Sequence, residues 1–358
     1  MKNSPSKKTI VTIIAPSMRI VGGQSIQAKR LIDAFADNEN IEINFLPNDP
    51  ETVFQNVKFL RTIFTSLKFW WLLLTKLVKT DIVHVFSSGT TSYIISTLPP
   101  LFMAKLFGKK TILNYHTGEA EEHLKNWKLT AQPTMKWFDK IIVPSQFLVD
   151  VFAKYELKAE AIFNFVDSEK FKFRERNEIR PVFLSNRNFE QYYNVSCVIR
   201  AFSEIQKKYS EAQLIVAGFG SEEEKLKKLA AELNLKNVEF VGKIPNEEMP
   251  KFYDSADIYL NSSLVDNMPL SLIEAFSVGI PVVSSNAGGI PYLIEDGKTG
   301  FLVEMNDCRS LAEKAMFLLE NKEVAKKIIA NARQEVVKYS WEKVQKNWLN
   351  AYQNLTKS

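Results

Sequence analysis

Short, continuously apolar runs alternate with longer segments of helical character along the whole chain. In the first half the apolar runs fall at 10–15, 41–46, 82–86, 111–115 and 140–144; in the second they fall at 181–185, 213–217, 238–241, 258–261 and 281–284. Runs of this length without polar alternation are strands buried on both faces, as in parallel sheets covered by helices. Segments 25–35 and 222–233 read as helices between such strands. Two sets of strands predict an α/β chain of two Rossmann-like domains. The boundary is expected in 164–180, a charged stretch without periodicity ahead of a fresh strand. This gives a first domain over 1–165 and a second over 175–339. The final segment, 340–358, sets Trp341, Val344, Trp348 and Tyr352 at spacings of three and four, a helix whose apolar stripe must cover something.

One helical stretch stands apart. Residues 52–80 hold Lys58, Arg61, Lys68, Lys76 and Lys79 and no acid, with apolar residues at 60, 63, 64, 67, 70, 71, 74 and 78 on one face. Two readings stand. Either the apolar face is core and the lysines are its wet side, or the helix lies at the interface of an anionic membrane, where paired Trp70 and Trp71 flanked by lysines belong.

Composition narrows the class. At 358 residues, 46% hydrophobic and 24% charged, the chain suits two soluble domains of ordinary size. Residues 1–165 hold 20 Lys and Arg against 14 Asp and Glu, whereas the remainder holds 26 against 27, so the basic surplus is N-terminal. The surplus is too mild to argue for nucleic acid. Cys197 and Cys308 lie far apart in no metal-type spacing, which argues against a disulfide framework and for a reducing cytosol. His84, His116 and His123 form no metal-binding cluster. The apolar run 10–15 is too short for a signal peptide and reads as a first strand, and no stretch approaches the ~20 apolar residues of a spanning helix.

The strongest chemical signal is Asp266 with Glu274, an acid-x7-acid segment running through Pro269 into an apolar helix and the strand at 281–284. A carboxylate accepts two hydrogen bonds from a vicinal diol, as on a ribose or hexose. Glu274 sits in the apolar run 270–276, where a charge needs a partner. Gly22 and Gly23 precede a helix and either form a tight turn or let a backbone approach an anionic ligand; they are not a dinucleotide fingerprint. His116 ends the fourth strand, where ligands of open α/β sheets bind, while His84 is mid-strand and packed and His123 lies beside Glu121 and Glu122 on a solvated helix. Arg187 follows the strand 181–185 and is either a diphosphate-binding fork or a surface loop arginine. Gly218 and Gly220 make a weak strand-to-helix turn signal.

Together these motifs resemble those of the retaining glycosyltransferases of family 4 (glycosyl transferases group 1), which have the GT-B fold. The resemblance covers nearly the whole chain: Gly22-Gly23, His116-x-Gly118, VPSQF at 143–147, NFVD at 164–167, the Arg187 loop, VAGFG at 216–220, FVGKIPNEEMPKFYDSADIYLNSS at 240–263, the acid pair, and GGIPYLIEDGKTGFLV at 288–303. It implies two Rossmann-like domains facing each other across a cleft, with the C-terminal helix crossing back to the first. A nucleotide-diphosphate sugar, UDP- or GDP-linked, would lie mostly on the second domain. Glu274 would hold the ribose diol, and Asp266 with Asn267, Met268, Pro269 and Leu270 the donor sugar. Arg187 would neutralise the diphosphate, Gly242, Lys243 and Ile244 would frame the base beside Gly218, and Gly22, Gly23 and His116 would face the sugar and acceptor. The implied reaction is a metal-free, cofactor-free front-face transfer of a hexose to a lipid-linked or polysaccharide acceptor; the cysteine usage adds a cytoplasmic location, and the membrane reading of residues 52–80 a peripheral place on the inner face of the membrane.

Three positions depart from the family pattern. Asp266 stands for a glutamate, Tyr192 for a second phosphate-binding lysine (a role Lys243 could take), and Phe165 for a hinge glycine. The first two motivate an alternative: a catalytically weak protein that binds a nucleotide-sugar as another enzyme's partner. The missing GxGxxG disfavours a dinucleotide dehydrogenase.

Overall fold

The computed structural model describes residues 8–19, 22–52 and 58–357. The basic start at 1–7, residues 53–57 of the basic helical stretch and the final Ser358 lie outside them. The chain divides into two units, Met1–Asn164 with Val344–Ser358, and Phe165–Lys343.

The first unit holds β1 (Thr9–Ala15), β2 (Ile41–Pro47), β3 (Ile82–Ser87), β4 (Lys110–Tyr115), β5 (Lys140–Val143) and β6 (Ala159–Ala161), all parallel, in the order β2-β1-β3-β4-β5-β6. All of β3 is buried, as a strand covered on both faces must be. His84 therefore sits in the core. Tyr352 Oη lies 2.9 Å from its Nδ1 and Asn114 Nδ2 lies 3.1 Å from its Nε2. Tyr352 belongs to the last helix, Trp341–Lys357, which buries Val344, Trp348, Ala351, Tyr352 and Leu355. The stripe read from the sequence thus covers the first unit's sheet at His84, with the Trp348 ring 5.0 Å away. Trp341, at the helix start, meets Phe165, its ring 4.9 Å off, and Val166 N donates to Tyr339 O. Phe165, where the family pattern has glycine, is an aromatic partner for this helix start.

The second unit holds β7 (Val182–Ser185), β8 (Gln213–Ala217), β9 (Val238–Gly242), β10 (Ile258–Asn261), β11 (Val282–Ser285) and β12 (Phe301–Val303). They are parallel, in the order β12-β11-β10-β7-β8-β9. The chain reverses its direction of winding between β7 and β10, so the crevice at their carboxyl ends is the topological switch point where open α/β sheets bind ligands.

Three expectations are corrected here. Cys197 and Cys308 form a disulfide, their Cα atoms 5.0 Å apart, within ordinary bridging distance. The separation of 111 residues hid this, because the helices Val195–Lys208 and Cys308–Glu320 pack side by side. The bridge removes the ground on which a reducing compartment was expected. His123 is buried rather than solvated: the helix Ala120–Asn126 turns Ala120, His123 and Leu124 inward, and His123 Nδ1 lies 2.7 Å from Tyr115 Oη. Glu121 and Glu122 face water instead.

The third correction concerns the basic helix, which runs Lys58–Lys76. Its core face is Phe69 and Leu73, continued by Leu77. The eight-position apolar stripe at 60–78 is the opposite face, at about 100° per residue, and is exposed: Leu67 is 61% and Trp71 60% accessible. The reading of that stripe as core does not hold. No helix among the described residues is long and apolar enough to cross a membrane.

Candidate functional site

In the second unit the candidate residues gather at the carboxyl ends of β7 to β11. Immediately after β7 come Asn186 and Arg187. Arg187 is drawn back to the sheet, where its Nη2 pairs with the Asp266 carboxylate, its Nη1 donates to Ser271 Oγ (3.3 Å), and its guanidinium carbon lies 4.1 Å from the Tyr193 ring centre. Its Nε is buried and has no hydrogen-bond partner among the described residues. Burial alone would lower the guanidinium; Asp266, followed by Tyr193, overcomes this and holds it above the usual range. Burial likewise pushes the Asp266 carboxyl up, against the pull of Arg187 and of Asn267 N, which donates to Oδ1 at 2.9 Å. An ion pair removed from water in this way stays charged only because each partner is satisfied by the other.

The Asp266 loop is shaped by the glycines that end β11. A Cβ on Gly288 would lie 2.1 Å from Asp266 O, and one on Gly289 2.1 Å from Asn267 O. Any larger residue would displace the 266–267 backbone. Asn267, Met268 and Leu270 are buried, and Pro269 opens the helix Leu270–Val278, all of whose residues are buried. Glu274, 5% exposed, lies one turn in. Its partner is Tyr253, whose hydroxyl is shared between Glu274 Oε2 (3.0 Å) and Ser271 O (3.1 Å) and accepts from Asn186 Nδ2 (2.9 Å). Tyr259 closes the chain by donating to Asn186 Oδ1 at 2.6 Å. Burial, then Glu274, raises the Tyr253 hydroxyl well above its ordinary value, so it remains a donor.

The loops after β8 and β9 complete the rim. Gly218 (φ +155°) is in a conformation open to glycine, and a Cβ there would strike Arg187 O at 2.3 Å. Gly218 N donates to Gly242 O (2.9 Å), which ties the two turns together. Lys243 is exposed with its ammonium 5.2 Å from the Phe219 ring, and Ile244 is half-buried. The Tyr192 ring packs tilted against Tyr193, centroids 4.5 Å apart, and its carbonyl accepts Leu264 N at 2.8 Å. The position expected to carry a lysine therefore supports the Asp266 loop through its backbone.

In the first unit His116 and Gln24, the residue after Gly22 and Gly23, meet at the Ser87 carbonyl that ends β3. It accepts His116 N (3.0 Å) and Gln24 Nε2 (3.3 Å). Gly22 is bracketed by Ser25 Oγ, and neither glycine has an atom within 4 Å of a built Cβ, so both border open space. The His116 ring stacks on Phe86 at 5.1 Å. Its Nε2 is shut from water and has no partner among the described residues, and burial pushes its pKa down to about 3, so the ring is neutral. His84 and His123 are also neutral; His84 has a partner at each ring nitrogen, whereas His123 is held at Nδ1 and its buried Nε2 has no partner among the described residues.

Sequence reasoning missed Asn186, Tyr253, Tyr259 and Ser271. Asn186 had a signal in its place beside Arg187 at a strand end. Tyr259 lies in the apolar strand 258–261 and Tyr253 beside Lys251 and Asp254 in a short helix, where nothing distinguishes either from an ordinary packing residue. Among the described residues no three His, Cys, Asp or Glu converge as metal ligands.

The profile of the family Glycosyl transferases group 1 matches residues 166–335, and that of Glycosyltransferase Family 4 matches residues 21–170. The sulfoquinovosyl transferase SQD2 of Arabidopsis thaliana is 28% identical over 74% of this chain, which spans about half (54%) of that protein's length. An uncharacterized glycosyltransferase of Methanocaldococcus jannaschii, MJ1069, is 26% identical over 97% of this chain and 99% of its own. Among solved structures, sucrose-phosphate synthase from Thermosynechococcus elongatus superposes with a TM-score of 0.83 at 18% identity, covering 98% of this chain and 100% of that one. Anabaena HepE in complex with UDP-glucose gives 0.74 at 16% identity, covering 96% and 99%. The shared fold is GT-B.

Proposed function

The chain belongs to the group 1, family 4 glycosyltransferases, and from that premise we propose that it is a retaining, metal-independent hexosyltransferase using a UDP- or GDP-sugar. The observation that carries this reading is the buried Arg187–Asp266 pair set beside the tyrosine-held Glu274 at the β7–β10 switch point.

In this reading Glu274 accepts from the ribose hydroxyls, with Tyr253 holding the carboxylate in place. The donor diphosphate takes the vacant Nε of Arg187, and the backbone amides opening the Leu270 helix point at the same negative charge. As Arg187 turns to the phosphate, Asp266 is released to accept sugar hydroxyls. Asn267, Met268 and Leu270 wall the sugar, and Gly218, Gly242, Lys243 and Ile244 border the base. In the first unit, the unpartnered Nε2 of the neutral His116 and the open backbone of Gly22 and Gly23 suit a hydroxyl-bearing acceptor.

The acceptor hydroxyl attacks the anomeric carbon while the bond from that carbon to the diphosphate oxygen breaks on the same face. The acceptor proton passes to the departing diphosphate, leaving a glycoside and a nucleoside diphosphate. Arg187 is stronger toward the departing group than toward the bound donor because negative charge grows there, which is electrostatic catalysis. The acceptor in this reading is a lipid-linked or polysaccharide glycan, and the exposed apolar stripe at 60–78 supports docking on an anionic membrane surface.

The test is a transfer assay with UDP- and GDP-hexoses in EDTA. Proton NMR of the product reads the anomeric configuration. Retention with undiminished rate supports the reading; inversion, or dependence on an added divalent ion, overturns it.

A further inference from the structure

We infer that the Cys197–Cys308 bridge is a thiol–disulfide exchange site, opened at Cys308 by a dithiol reductant, and that its redox state tunes the Asp266 loop. The exchange site stands on the bridge itself; its effect on donor binding deepens the proposed function and rests on that reading.

Access singles out one sulfur. Cys197 is 3% exposed, on the buried face of the helix Val195–Lys208. Cys308 is half-buried and lines a cavity of about 580 Å³ between that helix and its own. The charged residues of the cavity wall, Arg200 and Arg309 against Glu204 and Glu313, balance. The cavity therefore gives a thiol access without selecting its charge.

Leaving-group chemistry points the same way. Cys197 is in the first turn of its helix, which carries no acid, and the amide dipoles there favour a thiolate. Cys308 opens the helix Cys308–Glu320 beside the capping carboxylate of Asp307, which disfavours one. Attack at Cys308 thus expels the better leaving group. The reductant's thiolate bonds to Cys308 Sγ, the electron pair of the bridge departs with Cys197 Sγ, and that thiolate takes a proton from water. The reductant's second thiol loses its proton to water and attacks its own sulfur in the mixed disulfide, and Cys308 leaves and is protonated in turn. Two electrons pass from the dithiol, now a disulfide, to the bridge, now two thiols. An external disulfide reverses both steps.

The bridge is tied to the Asp266 loop from both sides. Asn194 and Asn306, just ahead of the two bridged turns, both hold left-handed backbone (φ +48° and +67°), and Asn194 Nδ2 donates to Asn306 Oδ1 at 3.1 Å. Asn194 O accepts Ser262 Oγ at 2.7 Å, and Tyr192 O accepts Leu264 N at 2.8 Å and Val265 N at 3.4 Å. On the other side Asn286 Nδ2 donates to Glu304 Oε1 (2.9 Å), and Gly289 N donates to Asp266 O (3.1 Å). Left-handed asparagines persist where their surroundings hold them, and the bridge is the covalent part of that hold. Opening it loosens both supports of Asp266.

The experiment uses the full chain under native conditions. After brief exposure to 2-mercaptoethanol and blocking with iodoacetamide, peptide mass spectrometry locates the mixed disulfide, expected on Cys308 over Cys197 by at least about tenfold. Oxidised, dithiothreitol-reduced and reoxidised protein are then compared with Cys197→Ser/Cys308→Ser. Amide hydrogen exchange at Leu264 and Val265 should quicken on the order of tenfold on reduction. Affinity for the stabilising nucleotide should weaken by about fivefold to tenfold. Both should return on reoxidation, and the double variant should sit at the reduced values and ignore dithiothreitol. A mixed disulfide on Cys197, a bridge that reacts only in denaturant, or loop exchange indifferent to reduction overturns the inference. Nucleotide affinity that ignores reduction sinks the regulation alone. No nucleotide binding in any redox state, with the loop responding as expected, sinks the donor reading and leaves the exchange site standing.

Discussion

Arg187 and Asp266, 79 positions apart in the chain, close on each other as a buried ion pair where β7 and β10 meet, with the guanidinium seated over Tyr193. Neither charge has another full partner, so removing one strands the other in a dry site. Asp266→Leu and Arg187→Met should each lose about 3 kcal/mol or more of stability, while the double variant should recover most of it. Urea melts of the four proteins give the coupling energy directly. Nucleotide-sugar turnover should be lost in all three variants, including the one that is stable again. A double variant as unstable as the sum of the singles would show that the pair is not coupled.

Tyr253 positions Glu274 rather than touching a ligand itself. Tyr253→Phe deletes the hydroxyl that Glu274, Ser271 and Asn186 share. The expected cost is about 1–2 kcal/mol in stability and on the order of tenfold in nucleotide affinity, since Glu274 keeps its charge but loses its orientation. Raised KM for the donor with little change in kcat is the predicted split. Unchanged nucleotide affinity would remove Tyr253 from the site.

Most of the sheet architecture was legible because parallel strands announce themselves as unbroken apolar runs. The exceptions, β6 and β12, are three-residue edge strands. What sequence could not supply was which apolar residues meet the core and which do not. The Lys58–Lys76 helix is apolar on two sides, and the smaller set, Phe69 and Leu73, faces inward. His123 follows two acids in sequence but points the other way on its helix, onto Tyr115. The acid pair and Arg187 were found because charges at strand ends and in apolar runs are unusual. Asn186, Tyr253 and Tyr259 were not, because their value lies in one hydrogen-bond chain that only the folded sheet assembles.

The buried histidines make stability acid-sensitive in a defined window. Burial, joined at His84 by the neighbouring His116, lowers His84 and His116 from 6.5 to about 3, and burial lowers His123 to about 4. Below 6.5 the unfolded chain takes up protons that the folded chain refuses. Stability is therefore flat above that point and falls as pH drops toward 4, by at most about 1.4 kcal/mol per pH unit per histidine. Denaturant midpoints at pH 7, 6 and 5 check this, and His84→Asn should flatten the slope. Equal stability at pH 7 and 5 would contradict it.

The Cys197–Cys308 bridge closes a loop of 111 residues within the second unit. Chain-entropy arguments give such a crosslink up to about 5 kcal/mol. Reductant, or Cys197→Ser, should lower the melting temperature by several degrees, and thiol titration of the unfolded, unreduced chain should find no free thiol. Two titratable thiols would contradict the bridge.

The central claim is that Glu274 and Arg187 hold the nucleotide diphosphate of a sugar donor. The most direct test is a thermal-shift series with UDP, GDP, ADP and their sugars in EDTA, for wild type and Glu274→Ala. The account predicts stabilisation by one nucleotide class, about 2.7 kcal/mol at a hundredfold excess over Kd, and its loss in Glu274→Ala. No shift with any nucleotide, or a shift that survives intact in Glu274→Ala, would contradict it.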